Sequence, residues 1–480
     1  MRPTYPIHKL LTSLLISLSM VAGFSTARAD ELPELGDGAT QYLTPQEERQ
    51  IGQSFLRQLI RDPDYLDDPE IRHYLQSLGD HIGKSADLRG TPLTFNLVKS
   101  PDLNAFAVPG GFITFNSGLL LYTEEESELA SVVAHEIAHL SQLHLPRLIA
   151  QSEKNKLPTA AAIIGSILLG GQVGLAGLTL TNAKLLSDQL RYTRGFEREA
   201  DAIGMQLLRK SGFDTKAMAR FFHKLQRYSQ SQSGDLPEFL RTHPLSYNRI
   251  AEAELRSSKA PDLDLEPNLD FALIRAKIQS FHIPKRENAQ DYFKDRPEST
   301  DMEKLTNRYG LASALFYQHQ YQEAKSILAP LLDTHPEIRS FSILMAELEQ
   351  ALGESDQAVD RLVVLYERDP SIAFIDDYVM EAMIRAGQYQ QAKKRIRYQI
   401  RRSPQRYELY KKLSRANVKL NLLSEAHQAD AEYHLLLGSL DKAIGSLELA
   451  LREEPNEGYL RQSISARLKE LKTQQSYKKN

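Results

Sequence analysis

The sequence predicts a mostly α-helical, α+β protein in two parts: a first unit with helices around a small sheet, then an α-solenoid of paired helices. Three observations predict it. From Asp30 to about Ala260, helical patterns enclose one clear strand run, Phe112-Ile113-Thr114-Phe115, entered through the turn Pro109-Gly110-Gly111. Beyond about Leu305, Ala324, Ala358, Ala392 and Ala426 recur every 34 residues, and Pro336, Pro370 and Pro404 keep the same interval. Between these parts lies a stretch rich in Asp, Glu, Lys and Pro, with an amphipathic piece around Phe271 to Phe281. The expected organisation is therefore a first domain over residues 30–260, a linker with one helix over 261–304, a repeat domain over 305–470 and a flexible tail over 471–480.

Residues 1–29 read as an export signal. Arg2 and Lys9 precede an uncharged apolar stretch, Leu10 to Phe24, and Ala27-Arg28-Ala29 forms a small-x-small cleavage site. The mature chain is expected to begin at Asp30. Apolar residues make up 41% and charged residues 25% of the 480, the balance of a packed globular protein. Lys plus Arg total 59 against 62 Asp plus Glu, so no overall field draws the chain to nucleic acid or anionic lipid. Cysteine is absent, which excludes disulfides, a thiolate nucleophile and a Cys-type zinc site. An exported, disulfide-free protein of this kind fits a bacterial periplasm.

The chemistry concentrates on one helix, expected from about Glu124 to Leu143. Thr123 and Glu126 suit a capping box, Glu124 and Glu125 suit the positive end of the dipole, and Leu129, Val132, Val133, Ile137 and Leu140 give a buried stripe. On this helix His135-Glu136-Ile137-Ala138-His139 stacks two imidazoles one turn apart, able to meet one zinc, with Glu136 facing the water to be activated. This is the signature of a zincin-type metalloprotease. Two histidines leave such a site incomplete, and Glu197-Arg198-Glu199-Ala200-Asp201, on a second helix closed by Gly212, offers Glu197 and Asp201 on one face. His144 falls about 140° around the first helix from His139, so it is assigned to packing or to support of a ligand.

The segment Thr159 to Thr181 is uncharged and long enough to span a bilayer. A single span would separate His135 and His139 from Glu197, so a helical hairpin or lid is preferred, with contact to a membrane surface or a client left open. In the repeats, 34 residues is the tetratricopeptide period. Each Ala is a small residue at a close helix crossing and each Pro ends the second helix. Leu311, Met345, Val379 and Leu413 share another apolar position, and Gly353 and Gly387 suit the turn between paired helices. Ala443 and Pro455 arrive half a period early, so the last unit is irregular. Such solenoids bind protein segments.

The strand entry Asn104-Ala105-Phe106 with Pro109-Gly110-Gly111, the His-Glu-Ile-Ala-His segment and the Glu-Arg-Glu-Ala-Asp segment resemble the HtpX-type family of zinc peptidases. The resemblance implies a single Zn2+ on His135, His139 and Glu197. It implies Glu136 as the base that activates water, and Asp201 as a proton donor or as the residue that orients a ligand histidine. In that family a histidine in the Thr-His-Pro setting of His243 lies near the metal, which makes His243 a candidate fourth ligand or regulator, an ordinary loop histidine being the alternative; Arg249 is a candidate supporting residue. With the export signal and the repeats, the resemblance further implies clients among outer-membrane β-barrel proteins, the barrel-assembly machinery as partner through the repeat domain, and a second role as a chaperone. From the residues themselves, Asn104, Phe112 and Thr114 mark a candidate edge strand for pairing with extended substrate, and an ordinary half-buried strand fits equally. The rival class is a repeat-based adaptor whose zinc site is structural or silent.

Overall fold

A computed structural model of the chain describes residues 43–154, 183–231, 238–283, 289–294, 296–454 and 458–479. The export signal and the segment Thr159 to Thr181 lie outside them. Two helices lead, Pro45–Leu59 (α1) and Pro69–Gly83 (α2), each opening on a proline behind a capping side chain. Thr44 and Glu47 form a capping box for α1, and the Asp68 carboxylate accepts from the Glu70 and Ile71 amides of α2.

Three strands follow: Thr94–Val98 (β1), Ala105–Val108 (β2) and Phe112–Asn116 (β3). Their spatial order is β1-β3-β2, with β3 parallel to β1 (Thr94 opposite Phe112) and antiparallel to β2 (Phe106 opposite Thr114). This corrects the expected edge strand. Phe112 and Thr114 stand on the central strand, where both sides of the backbone are already paired, and the outer strand beside them is β2, preceded by Asn104. The turn between β2 and β3 demands glycine: Gly111 has φ 89°, and a Cβ there would lie 2.1 Å from the Pro92 carbonyl oxygen.

Beyond β3 come Ser117–Tyr122 (α3), Glu126–Ser141 (α4), His144–Lys154 (α5), Ala183–Lys210 (α6), Lys216–Ser231 (α7), Glu238–Thr242 (α8) and Tyr247–Ser257 (α9). The expected capping box of α4 does not form. Thr123 instead donates to the Leu120 carbonyl at 2.8 Å, and the carboxylate of Glu128 takes the Glu124 amide at 2.8 Å. The helix is also shorter at its far end, because Leu143 turns the chain with φ 54° and His144 starts a new helix. Rather than exposing one face, α4 is buried continuously from Ser127 to Ala138, a helix enclosed on all sides. Its packed surroundings include Ile71, Leu75, Phe95, Phe115, Leu208 and Phe221.

The stretch expected as a linker carries two helices, Leu269–His282 (α10) and Ala289–Lys294 (α11). Helix α10 is shared between cores: Phe271, Ile274 and Ile278 join the first, while Leu273 joins Phe293, Tyr309 and Phe341 in the next. Helix pairs then stack as Asp301–Tyr317 (α12) with Tyr321–Thr334 (α13), Arg339–Ala351 (α14) with Ser355–Arg368 (α15), Ala373–Arg385 (α16) with Tyr389–Arg402 (α17), and Tyr407–Lys419 (α18) with Leu423–Leu436 (α19). Ala324, Ala358, Ala392 and Ala426 are all buried at the crossings, as their spacing requires. Leu440–Glu453 (α20) follows α19 after a half-length step, with Ala443 fully buried, which explains the early register. The tail expected to be flexible is helical instead. Tyr459–Lys479 (α21) runs through it, and Leu471 is buried in the last core with Ile464.

The turns inside the pairs share one backbone device: His319, Gly353, Gly387 and Asn421, again 34 residues apart, adopt φ of 65°, 84°, 77° and 58°. A Cβ on Gly353 would touch nothing within 4 Å, so Gly353→Ala isolates the cost of the left-handed backbone. That variant is expected to lose about 1 kcal/mol in chemical denaturation, and an unchanged midpoint would contradict this account of the turn.

The repeat region folds back on the first unit. Lys277 of α10 is buried between Asp68 (2.8 Å) and Glu70 (2.9 Å), and Ser340 of α14 donates to the other Glu70 oxygen at 2.6 Å. Farther along, Arg72 pairs with Glu408 at 2.9 Å and Arg61 donates to the Leu437 carbonyl at 2.9 Å. Among the described residues no helix is long and apolar enough to cross a membrane.

Candidate metal centre

Helix α4 supplies His135, Glu136 and His139, and helix α6 crosses it with Glu197 and Asp201. The crossing is close because Gly204 faces α4 backbone: a Cβ there would lie 3.2 Å from the His135 amide nitrogen. Glu197 is buried at 1% exposure and its carboxylate reaches back to both histidines, 3.4 Å from His135 Nε2 and 3.4 Å from His139 Nε2. The two imidazole nitrogens are 3.0 Å apart.

His243 completes the group. It stands just past α8, whose Phe239 amide donates to the Leu103 carbonyl at 3.0 Å beside the start of β2, and the Phe239 ring lies against the imidazole at 4.9 Å. His243 Nδ1 is 3.3 Å from His135 Nε2 and 3.2 Å from the Glu197 carboxylate. Among the described residues, these four side chains are the group whose donor atoms converge closely enough to hold one cation. A tetrahedron with donors at about 2.05 Å from its centre has edges of about 3.3 Å; five donor pairs here, taking either Glu197 oxygen, stand 3.0 to 3.4 Å apart, and all four donors lie within 4.8 Å of one another. The residues fit a small divalent ion with nitrogen and oxygen ligands.

Glu136 is 1% exposed, and its Oε1 has no hydrogen-bond partner although it lies 3.5 Å from His243 Nε2. An unpaired carboxylate oxygen buried beside a cation site is costly unless the site uses it.

Each of the two α4 imidazoles is held from behind. His135 Nδ1 lies 3.0 Å from Asp201 Oδ1, and Asp201 is gripped by Arg249 through Nε at 2.7 Å and NH2 at 2.8 Å. Arg249 also reaches Glu197 at 2.9 Å and the Pro244 carbonyl at 2.9 Å. His139 Nδ1 meets His144 Nδ1 at 2.8 Å; His144 in turn lies 3.3 Å from Glu199 and stacks on Phe196. Arg147 pairs with Glu199 at 2.9 Å. The support through His144, Glu199 and Arg147 is more specific than sequence reasoning gave, because it depends on the helix break at Leu143. A positive-φ position cannot be read from a leucine.

The charges show what the site wants. At His135 burial opposes protonation, yet Asp201 and Glu197 outweigh it and raise the imidazole to about 10. At His139 burial dominates and pushes the imidazole down to about 4. Glu197 stays well below the ordinary carboxylate range despite burial, held there by His243, His135 and His139. Asp201 is likewise lowered against burial, chiefly by Arg249. Glu197 and Asp201 therefore stay ionised in the buried site, and a cation bound there would have to displace the proton that they hold on His135.

Comparison with known proteins agrees with the geometry. Residues 69–257, which contain every side chain of the centre, match the description Peptidase family M48. The beta-barrel assembly-enhancing protease of Yersinia pestis is 32% identical over 92% of both chains, and that of Escherichia coli K12 is 30% identical over 91% of this chain and 90% of its own. The putative beta-barrel assembly-enhancing protease of Vibrio cholerae is 36% identical over 64% of each. Similarity that runs through the metal centre and nearly the whole helical region leads to one conclusion: the chain belongs to the beta-barrel assembly-enhancing proteases, metallopeptidases of family M48.

Proposed function

We propose that the chain is a periplasmic zinc endopeptidase, exported and cleaved after Ala29, that acts on outer-membrane β-barrel proteins during their assembly or quality control. The observation that carries this is the convergence of His135, His139 and Glu197 from two helices onto one point, beside the unpaired carboxylate oxygen of Glu136. Three nitrogens and one oxygen without sulfur suit zinc better than magnesium or calcium, which prefer all-oxygen sites. Zinc held there would polarise the scissile carbonyl and lower the pKa of a water toward about 7. Glu136 accepts the proton of the attacking water at Oε1 and returns it to the departing amine. Asp201, engaged by Arg249 and His135, has no proton to give, and its part is to orient His135. Extended substrate pairs along the outer edge of β2, next to Asn104.

In this reading His243 is a removable fourth ligand that keeps the enzyme latent. It lies just past the short helix α8, with Nε2 3.5 Å from Glu136 Oε1, on the side of the site where the base must meet its water. If the open form makes up about a tenth of molecules, His243→Ala is expected to raise cleavage of an unfolded substrate about ten-fold, with zinc still bound through the other three ligands. Unchanged basal cleavage with unchanged zinc geometry would reduce His243 to a loop histidine.

The helix pairs beyond residue 300 are tetratricopeptide repeats that recruit protein, the barrel-assembly machinery among them, and support a chaperone role beside proteolysis. The names of the relatives, which speak of enhancing barrel assembly, favour that dual role. A repeat-based adaptor with a structural zinc site is the competing function, but such a site needs no buried base beside it. The deciding experiment measures zinc and cleavage together. One zinc per chain is expected, chelation should abolish degradation of an unfolded barrel protein, and one equivalent of zinc should restore it. Cleavage that survives full removal of the metal would refute the proposal.

A further inference from the structure

Away from the metal centre, a cavity of about 680 Å3 lies where the start of α4 meets α10, α11 and α12. One wall is apolar, formed by Leu265, Phe271, Ala272, Ala276, Phe293 and Met302. Two guanidinium groups, Arg275 and Arg296, also line it, and among the described residues neither makes an ion pair. Arg275 donates through NH2 to the Leu121 carbonyl at 2.9 Å, but its Nε is buried without a hydrogen-bond partner. Arg296 donates to the Tyr292 hydroxyl, and its guanidinium lies 4.8 Å from the centre of that ring. Burial and then the neighbouring charge of Arg296 lower the Arg275 guanidinium below its usual range, as expected for two cations sharing one recess.

Among the described residues the rim carboxylates make no ion pair with either arginine; Glu124, with Glu128, acts on Arg275 only through space, and their close partners lie elsewhere. Glu124 pairs with Lys224 (2.9 Å), Glu125 and Asp214 with Arg220 (2.8 Å each). Glu126 accepts from Tyr74 and Asn268, and Glu303 caps α12. Among the described lining carboxylates, Glu266, which is exposed, alone has no such partner. Two guanidinium groups that share one recess without an ion pair, one of them with an unsatisfied nitrogen, are costly to hold together and are relieved by an anion between them. The volume and apolar wall exclude a bare inorganic ion as a good fit and match a small organic group.

We infer that this cavity binds a carboxylate carried on an apolar group, either the free C terminus of a polypeptide ending in an apolar side chain or a small organic acid. Arg275 and Arg296, which both line the recess, take the carboxylate, and the apolar wall takes the side chain. The inference does not depend on the proteolytic reading, since none of these residues belongs to the metal centre.

The test uses full-length protein carrying Glu136→Gln, so that peptides survive intact. Its probes are a fluorescent pentapeptide ending in phenylalanine with a free carboxylate, the same peptide as C-terminal amide, and 3-phenylpropionate. The acid is expected to bind at least about ten-fold more tightly than the amide, and Arg275→Gln should erase that preference while the unfolding midpoint holds. Arg296→Gln should weaken the acid similarly and serves if the first variant folds poorly. Displacement by 3-phenylpropionate at concentrations comparable to the peptide supports the site and assigns it to small acids, whereas a need for far higher concentrations assigns it to chain ends. Equal binding of acid and amide, or a preference that survives both arginine replacements, overturns the inference.

Discussion

Replacing Glu136 by Gln is expected to lower kcat for peptide-bond cleavage about a thousand-fold, within the range of roughly 10²–10⁴ that a positioned general base supplies, while zinc content and the unfolding midpoint stay unchanged. The substitution is clean for a structural reason. Glu136 Oε1 has no hydrogen bond to lose and the side chain is not among the four that converge as a candidate cation site, so an amide of the same shape removes only the proton acceptor. A thousand-fold effect corresponds to about 4 kcal/mol of barrier, far more than a change of packing at an isosteric position would produce. Single-turnover cleavage of an unfolded barrel protein is the measurement. A folded, zinc-loaded variant that still cleaves at the parent rate would remove the hydrolytic mechanism, and retained assembly of clients without cleavage would separate the chaperone role from the protease.

Such a prediction was within reach of the sequence, because the chemistry rests on local spacing. His135 and His139 one helical turn apart, and Glu197 and Asp201 on one face of a second helix, follow from periodicity, and the crossing brings them together as required. The 34-residue period was equally legible, since each buried alanine sits at the same crossing. What escaped were properties decided between distant segments. Strand order is one: a run such as Phe112–Phe115 looks the same whether it ends a sheet or divides it, and here it divides it. The shared helix α10 is another, because an amphipathic piece flanked by charged residues gives no sign that both of its faces will be covered. The failed capping box at Thr123 is a third. Its residues suit a helix start, but Thr123 closes the preceding helix instead, its amide and hydroxyl donating to the Leu119 and Leu120 carbonyls.

Arg249→Ala is expected to cost about 3–5 kcal/mol of stability and to weaken zinc binding about 10–100-fold, although Arg249 is not among the converging metal-binding groups. The side chain is 3% exposed and serves two buried carboxylates at once, Asp201 through two nitrogens and Glu197 through the third. Removing it leaves both charges with imidazoles alone, and releases the loop that carries His243, since the Pro244 carbonyl loses its donor as well. Arg249→Lys should rescue little, because one ammonium cannot match a planar fork that spans two carboxylates. The sharper check is the double replacement Arg249→Ala with Asp201→Asn. Removing one of the stranded charges should recover part of the lost stability but not the zinc affinity, because His135 then faces a neutral amide that cannot strengthen its grip on the metal. Equilibrium unfolding and competition against a zinc chelator read the two quantities separately. Full stability and full affinity in the single variant would mean that the arginine merely fills space, and the account of how α6 is held in register with α4 would have to be replaced.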